Sequence, residues 1–295
     1  MSNGSTPSQP ILDELALPAG GFAVLAIDQR DTLRHLLRAA GLGDTGEDLV
    51  DFKREVITAV APHVSGILID RSYGPRAMRE ADLGERHPGL ILAADVLRQD
   101  HRAAVLSTSI DEVTFGMLAS LDVRALKLLV LWHADGRDTS PTRSLVKTFV
   151  DRCRSAGKLS VVEGVVVSAP DHDVALVQAA EELTSLAPDL YKTEVPTRGF
   201  GTQAVIELLS RRITEVSACP WVVLSSRVEQ DRFPAALAAA CAGGASGFMA
   251  GRFLWGDALH RSPDALTSVA GRASELAAIV NRHARPWREA GAEVA

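Results

Sequence analysis

Eight short apolar runs recur along the chain with amphipathic stretches between them, and this alternation limits the possible folds more than any other feature. The runs are GFAVLAID (21–28), SGILID (65–70), GLILAAD (89–95), ALKLLVLW (125–132), LSVVEGVVV (159–167), LYKTEVP (190–196), WVVLSS (221–226) and GFMAGRFLW (247–255). Most are almost continuously apolar, as strands buried on both faces of a parallel sheet should be. The intervening stretches have helical periodicity. FKREVITAVAPHV puts Val56, Ile57 and Val60 on one face, and SLVKTFVDRCRSAG ends at Gly157, a helix terminator. Repeated strand–helix units imply parallel pairing through helical crossovers. Eight units in about 250 residues predict an α/β fold, a single-domain (β/α)8 TIM barrel. An open doubly wound sheet is the alternative, but no G-x-G-x-x-G follows the first run. The expected boundaries are a flexible N-terminal tail at 1–18, the barrel at 19–285 and a C-terminal tail at 286–295. The segment after Trp255 reads as helical, placed to cover the barrel or to meet another subunit.

Function in such a barrel gathers at the carboxyl ends of the strands, so the polar residues that interrupt the runs are informative. Asp28 and Gln29 end the first run, Asp70 and Arg71 the second, and Asp95 the third. Lys127 lies inside the fourth, Glu163 inside the fifth, and Lys192 and Glu194 inside the sixth. Ser225 and Ser226 end the seventh, and Arg252 interrupts the eighth. Lys192 and Glu194 are two apart, so a strand points both to one face. An interior lysine is either charged and paired, or neutral and nucleophilic. Removal from water disfavours the ammonium, and a nearby cation, for which Lys127 is the candidate, adds to this. A free amine attacks carbonyls to form a Schiff base. The plainer reading is an inert buried ion-pair network of the same residues, with the aspartates as strand-end or capping groups. The glycines of GGASGFMAGR (243–252) let backbone N–H groups approach an anion, with Arg252 as a charged fork; a Gly-rich turn with a surface arginine is the alternative.

A formal net charge of -6 argues against nucleic acid or an anionic membrane as a general partner. Three scattered cysteines without a C-x-x-C fit a reducing, cytoplasmic setting. The polar start MSNGSTPSQP has no signal-peptide core, and the uncharged run at 234–251 is divided by glycines. The eight histidines are dispersed and no H-E-x-x-H occurs, so neither a metal nor another cofactor is expected. The DHD at 171–173 reads as a helix start.

The segments LAIDQR, DFK, ALKLLVLW, VVEGVVV, DLYKTEVP, PWVVLSS and GASGFMAGRFLW, in this order, resemble the Schiff-base (class I) aldolases that include the tagatose-1,6-bisphosphate and sulfofructosephosphate aldolases. The resemblance runs from about residue 20 to residue 256, and its phrasing is closer to the sulfofructosephosphate enzymes. It implies that Lys192 is the Schiff-base lysine and Glu163 the proton-transfer carboxylate, with Lys127 and Asp28 beside the reacting carbons. It further implies that Gln29, Ser226 and Arg252 hold the substrate's anionic groups, and Ser225, Gly251 and Glu194 complete the substrate-binding set. Two positions depart from the pattern: Arg227 stands where glycine is expected, and Gly164 where the sulfofructosephosphate enzymes tend to have proline. The implied reaction is cleavage of 6-deoxy-6-sulfofructose 1-phosphate to dihydroxyacetone phosphate and 3-sulfolactaldehyde. The alternative is tagatose 1,6-bisphosphate, giving glyceraldehyde 3-phosphate. A metal-dependent aldolase and a non-catalytic sugar-phosphate sensor are the competing classes. A homo-oligomer is expected from the resemblance.

Overall fold

The computed structural model describes residues 12–290, apart from positions 86, 101–103, 168, 261 and 263. Eight strands close into a barrel: β1 (Phe22–Ile27), β2 (Gly66–Ile69), β3 (Gly89–Ala93), β4 (Val123–His133), β5 (Leu159–Val167), β6 (Leu190–Glu194), β7 (Trp221–Leu224) and β8 (Gly247–Ala250). Each pairs in parallel with the next, and β8 returns to β1. All eight expected strands are present, and the helices between them form the outer layer. Outward residues such as Ala23, Leu25, Ile67, Ile69 and Tyr191 pack against helix residues such as Val56, Ile57 and Val60. The reason is the one legible in the sequence: strands covered on both sides need apolar residues at every position.

Local signals fix the helices. The Gly46–Val60 helix opens with a capping box in which Thr45 and Asp48 satisfy each other's backbone N–H groups. The Asp171 side chain accepts from the N–H groups of Asp173 and Val174, so DHD is a helix start. Gly157 follows the Ser140–Ser155 helix at φ +64, the left-handed position that glycine fills without strain. The Ala265–His283 helix buries Val269, Ala273, Leu276 and Val280 against the Gly46–Val60 and Phe233–Ala242 helices. It therefore covers the barrel. Among the described residues no helix is long and apolar enough to cross a membrane.

Three expectations change. An antiparallel hairpin, Asp95–Gln99 with Val105–Ile110, stands between β3 and β4. The eighth run does not stay extended to Trp255: β8 ends at Ala250, and Arg252–Trp255 is a short helix whose Phe253, Leu254 and Trp255 are buried. Arg252 thus begins a helix instead of interrupting a strand. The termini are also more involved than tails at 1–18 and 286–295 would be. Residues 1–11 and 291–295 lie outside the described residues. Leu12–Leu15, however, is a 3-10 turn with Leu12 and Leu15 buried in the apolar interior of the barrel, beside Phe22 and Leu190. A Cβ on Gly89 would come within 2.2 Å of the Glu14 carbonyl, so glycine is required where this turn crosses the start of β3. Trp287 packs on the same cluster, and its indole N–H donates to Asp13 Oδ1 at 3.0 Å. The amino-terminal end of the barrel is closed by these two segments.

Candidate active site

The carboxyl ends of the strands open into a cavity of about 880 Å³. Below it the interior is apolar; at its floor the strands switch to charge. Ala26 and Ala93 are small and leave room, and Asp28, Lys127, Glu163 and Lys192 line the space. Strand register sets Glu163 of β5 beside Lys192 of β6.

Glu163 is the hub. Its Oε2 lies 2.9 Å from Lys127 Nζ and 3.0 Å from Lys192 Nζ. Lys127 Nζ also reaches Asp28 Oδ2 at 3.2 Å and Asp95 Oδ2 at 3.1 Å. Burial would lower Lys127, but Asp95, Glu163 and Asp28 outweigh it and hold the ammonium well above the ordinary lysine range. Burial alone would push Glu163 and Asp28 up; the charges of Lys127 and Lys192 overcome this and hold both carboxyls below the ordinary range. Asp95 goes the other way: burial raises it, and Lys127 does not compensate fully. Asp95 Oδ2 also accepts from the Leu129 N–H at 3.0 Å. Asp28, Asp95 and Glu163 thus surround two amines, and Lys127 is locked as a permanent cation among them.

Asp28 owes its position to a second, fully buried pair. Lys53 Nζ donates to the carbonyls of Ile27 at 2.6 Å and Gln29 at 2.9 Å, on either side of Asp28, and to Asp70 Oδ2 at 2.5 Å. Asp70 Oδ1 accepts in turn from the N–H groups of Ser72 and Tyr73. Burial pulls the Lys53 ammonium below the ordinary lysine range, against the opposing charge of Asp70. Removing one partner of such a pair leaves the other charge stranded in the interior. Lys53→Met is therefore expected to cost about 3–5 kcal/mol and to lower Tm by on the order of 10 °C. Thermal unfolding by circular dichroism checks this, and an unchanged Tm would refute it.

The structure brings Gln29, Ser225, Ser226, Gly251 and Arg252 to the same cavity. Gln29 Oε1 is buried without a hydrogen-bond partner among the described residues, and its Nε2 lies 3.2 Å from where a Cβ on Gly251 would stand. Arg252 is exposed at the rim. Glu194 is not brought in. It does not line the cavity. Its Oε2 accepts the Val166 N–H at 3.1 Å, and its Oε1 meets Arg227 Nη1 at 3.4 Å. The carboxylate beside Lys192 is Glu163, across the sheet, instead of Glu194 along the strand. Two cavity residues escaped the sequence reading as site candidates. Asp95 was visible only as a strand end. Arg30, which donates to the Asp95 carbonyl at 3.1 Å and lies 3.7 Å from its Oδ1, left no pattern at all.

Both departures from the family pattern have a local setting. A Cβ on Gly164 would lie 2.6 Å from Tyr191 Oη and 2.8 Å from Leu183 Cδ1, so no larger residue fits there. Arg227 adopts φ +66, the left-handed region where glycine is at ease. Among the described residues no group of three or more His, Cys, Asp or Glu side chains is arranged to hold a metal ion.

Comparison with known proteins places the chain in a family. The chain is similar to a Listeria monocytogenes protein named tagatose 1,6-diphosphate aldolase, at 24% identity over 94% of this chain and 92% of the relative. It is 26% identical to the tagatose 1,6-diphosphate aldolase 1 of Enterococcus faecalis, with 83% of each covered. Among solved structures, a fructose-bisphosphate aldolase from Slackia heliotrinireducens superposes with a TM-score of 0.66 at 15% identity, over 95% of this chain and 90% of that one; this bears on the fold alone. Residues 22–257, from the first strand to just past the last, match the family described as DeoC/LacD family aldolase. The chain belongs to the DeoC/LacD family of aldolases.

Proposed function

We propose that this aldolase works through a Schiff base on Lys192 and cleaves a ketose 1-phosphate bearing a second anionic group, with tagatose 1,6-bisphosphate as the substrate. The observation that carries the mechanism is the sharing of Glu163 Oε2 by two amines. Attack on a carbonyl needs an unprotonated amine, and Glu163 stands 3.0 Å away as acceptor for the proton that Lys192 must shed. Lys127 cannot take the same part, because three carboxylates hold it charged.

Lys192 Nζ bonds to the C2 carbonyl carbon. Glu163 returns the proton it took from Lys192 to the departing C2 hydroxyl; loss of water gives a protonated imine, which is the electron sink, and leaves Glu163 a carboxylate again. Glu163 takes the proton of the C4 hydroxyl, the C3–C4 bond breaks, and its electron pair becomes the enamine. The aldehyde leaves. Protonation at C3 restores the imine, and water releases dihydroxyacetone phosphate with the free lysine. Asp28 and Lys127 orient the hydroxyls beside the reacting carbons. Ser225, Ser226, Gly251 and Arg252 receive a terminal anion at the last two strands. In this reading Glu194 supports the cavity wall from behind.

The names of the reported relatives favour the tagatose substrate over the sulfofructose phosphate suggested by motif phrasing, so 6-deoxy-6-sulfofructose 1-phosphate becomes the comparison substrate. Two measurements test the reading. Borohydride reduction with substrate, followed by peptide mass analysis, should add mass at Lys192; mass at another lysine, or at none, rejects the mechanism. A side-by-side assay should give the bisphosphate the higher kcat/KM. A tenfold preference for the sulfonate, about 1.4 kcal/mol in transition-state binding, would reverse the substrate assignment. The resemblance also underlies our reading of a cytoplasmic homo-oligomer, for which light scattering on the purified protein is the check.

A further inference from the structure

The cavity has more cationic groups than the aldol chemistry uses. Lys127 and Lys192 belong to the charge cluster, and Arg30 is turned to Asp95. Two guanidinium groups remain, Arg227 and Arg252, both on the wall formed by the ends of β7 and β8. Arg252 has no carboxylate partner among the described residues. We infer that Arg227 is a second binding arginine of this wall and tunes the pocket to a doubly charged phosphate terminus. The inference rests on the aldolase reading above and specifies what one end of its substrate must be.

Four features support it. First, Arg227 is 47% exposed at its side chain and faces the cavity, so its guanidinium is open to a ligand. Second, only one of its nitrogens is engaged, at 3.4 Å from Glu194 Oε1; a guanidinium has five N–H donors, and the rest stay free for a forked contact with an oxyanion. Third, Glu194 is itself rigidly held, 3% exposed, with Oε2 on the Val166 N–H at 3.1 Å and His172 Nε2 at 3.6 Å. It works as a bracket that fixes the guanidinium at the wall before any ligand arrives, which lowers the ordering cost of binding. Fourth, the backbone of Arg227 sits at φ +66, a conformation that a residue with a side chain enters only at a cost. The Arg227 side chain lines the cavity just beyond the end of β7. Two guanidinium groups and two serines match a phosphate dianion better than a sulfonate, which has three oxygens but one charge.

A competing role for Arg227 is neutralisation of the buried Glu194 charge, and the test separates the two. Arg227→Gly relieves the backbone and removes the guanidinium. On tagatose 1,6-bisphosphate its kcat/KM is expected to fall about tenfold, through KM, with kcat within about threefold of wild type. Inorganic phosphate should raise the Tm of the wild type more than methanesulfonate does, and this difference should vanish in Arg227→Gly. Adding Glu194→Gln should restore neither KM nor the phosphate response. An unchanged KM together with an unchanged phosphate shift overturns the inference, and so does recovery in the double variant. If the wild type cleaves neither ketose phosphate, the functional reading fails, and the comparison of phosphate with methanesulfonate still decides on Arg227.

Discussion

Replacing Lys192 with methionine is expected to lower kcat by about 10⁴-fold or more, because it removes the covalent route and not merely a contact. The side chain is buried, and methionine has nearly its length without its charge. Glu163 keeps Lys127 at 2.9 Å, so the floor of the cavity retains a cation. The variant should therefore fold, with a circular dichroism spectrum like the wild type. It should also lose all borohydride-trapped adduct. A variant that still splits the bisphosphate at the original rate would remove the basis of the mechanism, whatever the substrate.

Glu163→Gln tests the second half of the chemistry. An amide of the same size cannot accept the C4 proton, and kcat should drop by about 10²–10⁴-fold while KM changes little. The pH profile carries a sharper expectation. Burial works to raise Glu163, but Lys127 and Lys192 hold it below the ordinary carboxylate range. The basic form thus persists in mildly acidic solution, and the acid limb of kcat/KM, which reports the free enzyme, should lie below the ordinary glutamate value of about 4.3. Lys127→Met removes the larger of the two lowering charges, and the limb should move up. The same groups govern acid stability. Glu163 and Asp28 are depressed in the folded state, so their stabilisation is present above their unfolded values and is lost as pH falls through the folded ones. Asp95 is raised and contributes with the opposite sign: its ionised form costs stability near neutrality, and that cost fades on acidification. In Lys127→Met the depressing charge is gone, so Tm should depend less favourably on rising pH between about 3 and 6 than in the wild type. An acid limb that stays in place in Lys127→Met would refute this electrostatic account.

The barrel was legible because burial on both faces leaves a nearly continuous apolar signature, which most of the eight runs carry. The hairpin after β3 was not. Apart from Asp95 its strand residues are half-buried or exposed, and they include Arg98, Gln99, Ser107 and Ser109. Such a pattern reads as loop when neighbouring signals are stronger. GFMAGRFLW misled for the reverse reason: its apolar residues are buried throughout, but Gly251 turns the chain and the second half is buried as a helix. At the site, Lys127, Glu163 and Lys192 could be picked out because charge inside an apolar strand is rare. Which carboxylate meets which amine could not. That depends on register between β5 and β6, a pairing that no local spacing encodes. Glu194 shows the limit of alternation. It lies on the same strand face as Lys192, yet at the strand's end its side chain reaches over to Val166 and Arg227.

The turn at Leu12–Leu15 and Trp287 stopper one end of the barrel, so traffic must share a single doorway. Under the proposed Schiff-base mechanism, a ketose that enters head-first and becomes tethered at the bottom splits into an outer piece, which can drift away, and an inner piece still anchored to the amine. The order in which the two halves depart then follows from the shape of a blind well.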